Sequence, residues 1–152
     1  MTYIAGQARQ DLLDTLGDAI DEIAAALADL GEAYELLGTG PADRLEEELF
    51  APVQTAYGRA KRTHAAFAQR QGLPSRTFTP ATPGPASIGV AGFVDNAVSS
   101  VAGADVVLSE LQDSMLPVEV GDPELRAGLA EVRELLDDVS GRAREFTRTL
   151  GR

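Results

Sequence analysis

Apolar residues recur at alternating spacings of three and four along the first quarter of the chain, at Leu13, Leu16, Ile20, Ile23, Leu27, Leu30, Tyr34 and Leu37. Acids occupy the opposite face, at Asp14, Asp18, Asp21, Glu22, Asp29, Glu32 and Glu35. A heptad seam backed by charge predicts a long amphipathic helix over about 8–37, stopped at Gly38 with Pro41 beyond. Leu45, Leu49, Val53, Ala56, Ala60, Thr63 and Phe67 predict a second helix over 42–71. Inside it Pro52 removes a backbone donor and clashes with the Glu48 carbonyl, so a kink or a short leading helix is expected there. Val94, Ala97, Val101, Ala104, Leu108, Leu111 and Met115 predict a third helix over 89–116, ended by Pro117. The fourth, over 123–150, carries Leu125, Leu129, Val132, Leu136, Val139, Ala143, Phe146 and Leu150. Asp122 and Pro123 supply its cap and first turn, and Arg142, Arg144, Arg148 and Arg152 suit its negative C-terminal end.

Residues 72–88 break the pattern. Pro74, Pro80, Pro83 and Pro85 block helix and favour extended polyproline, with Phe78 as the only aromatic anchor. The fold class expected is therefore all-α: an antiparallel four-helix bundle of two αα-hairpins joined by a long Pro-rich linker, in one domain over 1–152. At roughly 3.1 Å per residue the linker could span about 50 Å, the length of a bundle. A linker that folds back gives up-down-up-down order, which is favoured; one that crosses gives the ferritin-like order.

A short turn near residue 40 sets the first hairpin's register. It places Phe50 level with Gly31, Tyr57 with Ala24 and His64 with Gly17, so that small residues on one helix act as sockets for large ones on the other. The same register sets Arg59 beside Glu22 and Arg70 beside Asp11. In the second hairpin Asp105 and Arg133 occupy facing e positions beside the seam.

Composition narrows the partners. With 24 acids against 13 lysines and arginines the net charge is -11, which disfavours nucleic acid and anionic membrane surfaces. No cysteine is present, so disulfides, thiol nucleophiles and thiolate metal sites are excluded. The N-terminal ten residues have neither the basic start nor the apolar run of a signal peptide, and the prolines within Thr77–Val94 rule out a membrane helix there; a cytoplasmic location is expected. From Leu49 to Val94 there is no acid, but Arg59, Lys61, Arg62, Arg70 and Arg76 are present. Pairing with the acidic first helix explains this run more simply than an anion site does.

No catalytic constellation emerges. A di-iron carboxylate bundle needs Glu-x-x-His pairs, yet the single histidine, His64, is preceded at that spacing by Lys61. Glu46, Glu47 and Glu48 are consecutive, point in different directions on a helix and do not converge on one ion. The glycine-rich stretch Ile88–Gly92 lacks the lysine and hydroxyl of a phosphate-binding loop. No catalytic residue, metal ligand or cofactor is assigned. The remaining candidate is a partner- or anion-binding surface made of Tyr57, Arg59, Arg62 and His64. The expected function is a non-enzymatic interaction or scaffolding module that self-associates or binds another helical protein. The alternative is a small-ligand sensor or carrier with an apolar pocket near Pro52 or under the linker.

Overall fold

The computed structural model describes residues 2–150, with side chains from Ile4 onward. These residues are all-helical, without strands, in five helical runs of which four are long. The first is α1, Thr2–Leu36; it begins earlier than the seam suggested, its leading turns carrying side-chain bonds from Gln7 to Asp11 and from Gln10 to Asp14. The second run joins α2 (Thr39–Leu45), a π-helical turn (Glu46–Phe50) and α3 (Ala51–Arg70). A one-turn 3-10 segment, Ala86–Ile88, leads into α4, Gly89–Asp113. A short α5, Leu116–Glu119, is followed by α6 (Pro123–Asp137) and α7 (Val139–Leu150).

The disturbance expected from Pro52 is the π-helical turn. Pro52 has no N–H for the Glu48 carbonyl, and the wider turn before it relieves the clash. That carbonyl instead receives the Arg142 guanidinium, at 3.4 Å. The end of α4 also differs from expectation. Met115 adopts a left-handed conformation (φ 70°), which breaks the helix after Asp113 and lets Pro117 open α5. The fourth predicted helix is interrupted at Asp138. Its start is as expected: the Asp122 carboxylate caps α6 by accepting from the Leu125 N–H at 2.8 Å.

The core is aliphatic. Leu13, Leu16, Ile20, Ile23 and Leu30 of the α1 seam are buried, but Tyr34 is 37% exposed. A second stripe on α1, Leu12, Ala19, Ala26 and Ala33, is fully buried and was not expected. The most extensive helix contact in the fold, between α1 and α4, explains it. Ala97 and Ala104 are buried on α4, and small residues on both helices let the two backbones approach closely. The contact between α3 and α6 is next in extent, and α1 also packs on α3.

Aromatics follow the expected register more closely than charges do. Phe50 and Gly31 line one hollow, and Tyr57 and Ala24 another. The socket idea fails at the glycines themselves. A Cβ on Gly31 would meet nothing within 4 Å, and Gly17 is covered by the Arg76 guanidinium and Phe78 from the linker. Gly31→Ala is therefore expected to stabilise the protein by about 1 kcal/mol through helix propensity alone, read as a higher urea midpoint with unchanged slope. The charge pairs were misassigned. Arg59 holds Glu131, and Arg70 holds Asp122, both on α6 and both at 2.7 Å. Asp105 and Arg133 do meet as expected, at 2.9 Å.

The linker's contacts advance along α1 in chain order. Arg76 binds Asp21 at 2.7 Å, Pro80 and Ala81 lie over Ala24 and Leu27, and the Gly84 N–H donates to the Asp29 carboxylate at 3.0 Å. Asp29 was expected to face solvent; it is 7% exposed because the linker covers it.

Candidate functional site

The four residues Tyr57, Arg59, Arg62 and His64 do not form one surface. An α-helix turns by about 100° per residue, so Tyr57 and His64 share one face while Arg59 and Arg62 lie roughly opposite. Arg59 and Arg62 flank α6, beside Arg70 and Glu124. Arg59 is occupied, its guanidinium binding Glu131 and the Thr63 hydroxyl. Tyr57 and His64 instead face α1 and the linker.

His64 is 3% exposed and its Nδ1 has no hydrogen-bond partner. Phe78 and the imidazole meet in a T-shaped pair, with ring centroids 5.1 Å apart, and Arg76 lies over the phenyl ring at 4.5 Å. Burial lowers the His64 pKa from 6.5, and the positive charge of Arg76 adds to the effect; the Leu13 backbone and Asp14 oppose it. The buried ring is thus a neutral packing element. Below pH 6.5 the unfolded chain takes up a proton that the folded chain refuses, so stability falls with pH until the folded-state pKa is reached. Since this is the only histidine, its imidazole resonances report the titration directly. The midpoint is expected below 6.5, and Phe78→Ala, which admits water to the ring, is expected to move it back up.

Between α1, α3 and the linker lies a half-open hollow of about 400 Å³. Ala24, Leu27 and Ala28 form its floor, Pro80 and Ala81 one wall, and Gln54, Tyr57, Gly58 and Lys61 the other. Lys61 places its ammonium 4.1 Å from the centre of the Tyr57 ring. Burial raises the phenol pKa above 10.0, with Asp21 adding to the shift, so Tyr57 keeps its proton and remains a donor.

Protein-family models, curated proteins and solved structures were all compared with the chain. None matches it. The residues themselves must therefore carry any functional argument.

The outer side of α4 was missed in the sequence. The run Ala86–Asp113 is long and apolar enough to cross a membrane, with mean hydropathy 1.2 over its most apolar window, of which only 28% is buried. Val94, Ala97, Val101, Ala104, Leu108 and Leu111 point inward, while Ala102 is exposed and Val106 is 54% exposed on the other side. No charge occurs from Asn96 to Ala104. The available signal was the helix's apolarity beyond its own seam, since an amphipathic helix needs only one apolar stripe. Among the described residues no group of three His, Asp or Glu side chains is placed to hold a metal ion.

Proposed function

We propose that this protein is a non-enzymatic helical interaction module that associates with a second copy of itself through the outer face of α4. The observation that carries this reading is the exposure of Ala102 and Val106, one turn apart on α4, next to the uncharged Asn96 and Ser99. Apolar side chains exposed beside an uncharged stretch offer area that a second copy would bury favourably. Two copies of a chain carrying -11 repel one another, so contact is favoured where charge is missing, as from Asn96 to Ala104.

The framework we propose for that face is an antiparallel four-helix bundle in crossover order, in a soluble cytoplasmic protein. The linker contacts with Asp21, Ala24 and Asp29 support a strap running along α1 toward its C-terminal end, from which α4 then returns along it. The position of Glu22 beside Gly103, with Arg9 bonded to the Val120 carbonyl, supports that antiparallel return. A linker folded back for up-down-up-down order would not make this succession of contacts.

Sedimentation velocity tests the association. Dimer is expected to increase between about 50 mM and about 500 mM NaCl, because salt screens the repulsion of like-charged copies. Val106→Glu is expected to give monomer at all concentrations with an unchanged helical spectrum. A wild-type monomer at high protein concentration would sink the proposal. So would preferential binding of α4 to phospholipid vesicles.

A further inference from the structure

We propose that the hollow under the linker binds an apolar carboxylic acid, with Lys61 and Tyr57 holding the carboxylate and Ala24, Leu27 and Ala28 receiving the hydrocarbon body. This is independent of the association through α4. The volume, about 400 Å³, is in the usual range of small-molecule sites, and the site has their usual make-up: an apolar floor with a few polar groups at one side.

The charge balance selects the ligand's sign. Of the cations in the acid-free stretch, Arg59, Arg70 and Arg76 already hold Glu131, Asp122 and Asp21. Lys61 makes no ion pair among the described residues and rests only on the Tyr57 ring. Asp21, whose negative charge is felt at Tyr57, accepts two bonds from Arg76, at 2.7 and 2.9 Å, so its repulsion of an anion here is offset in part. Along the wall stand an ammonium, a protonated phenol and the Gln54 amide, all able to donate to a carboxylate. The opposite floor offers only alkyl groups, which a compact hydrophilic anion cannot use. Pro80 and Ala81 form the linker-side wall, so an occupied site would also fasten the linker to α1 and α3.

Octanoate, 1-octanol and inorganic phosphate separate the contributions in amide-resolved NMR titrations of the full chain. Octanoate is expected to give saturable shifts at Ala28, Gly58 and Ala81. Octanol, which lacks the charge, is expected to bind about tenfold more weakly, and phosphate not to saturate. Lys61→Met is expected to weaken octanoate about tenfold, and Lys61→Arg to restore much of the loss. Equal binding of octanol and octanoate by the wild-type protein would overturn the proposal, and needs no variant to fold. It would also be overturned by octanoate shifts confined to α4, or by unchanged affinity in a folded Lys61→Met protein.

Discussion

Gly128→Ala is expected to destabilise the protein by about 1–3 kcal/mol, although alanine is the better helix former by about 1 kcal/mol. A Cβ at residue 128 would lie within 3.0 Å of three side-chain atoms of Thr63, the hydroxyl being nearest. Thr63 has little room to withdraw. It is 4% exposed, its hydroxyl donates to the Arg59 carbonyl at 2.8 Å, and it accepts from Arg59 Nη1 at 3.1 Å. Its β-branch also restricts its rotamers on a helix. The added methyl must therefore separate α3 from α6, whose alignment is also set by the Arg59–Glu131 and Arg70–Asp122 pairs. Thr63→Ala combined with Gly128→Ala removes the two closest collisions and leaves only the residue-63 Cβ, at 3.0 Å, so the pair is expected to couple favourably by about 0.5–3 kcal/mol in a double-mutant cycle. Urea denaturation of the four proteins decides it. Additive costs would mean that the two helices do not cross where these residues place them.

Phe67→Ala is expected to have the larger effect, about 3–5 kcal/mol, against a total stability that for ordinary domains is about 5–15 kcal/mol. Phe67 is fully buried in α3, and the surrounding helices cannot collapse into the space it leaves. The comparison that makes the result interpretable is Phe78→Ala. Phe78 is only half-buried, on the linker, so its removal should cost about 1–2 kcal/mol while changing the titration of His64. If Phe67→Ala cost no more than Phe78→Ala, the core could not be packed as described.

Much of the fold was legible because it depends on local periodicity. The buried positions of α3 and α6, the cap at Asp122 and the linker's extended character all follow from spacing, a carboxylate before a proline, or proline density. The misread charges have one cause. Arg59 and Arg70 are eleven residues apart, so they lie on one side of α3, and pairing them with α1 put them on the side that Tyr57 and His64 occupy. Applied to each residue, helical geometry alone would have divided the proposed four-residue surface into two. The hollow was less accessible. An expectation of a pocket under the linker could be formed, but its residues come from α1, α3 and two linker positions, Pro80 and Ala81.

By itself the sequence determined that this chain forms long helices, where each turns its apolar stripe, and that Pro-rich residues separate the two halves. These are consequences of side-chain period and backbone restriction within a few residues. The tertiary structure alone decided that α1 has a second buried stripe against α4, that Asp29 and His64 are enclosed by the linker, and that α4 leaves Ala102 and Val106 to solvent. Each depends on which helix lies beside which. An apolar or charged position on a helix carries the same local signal whether its neighbour is another helix, the linker or water.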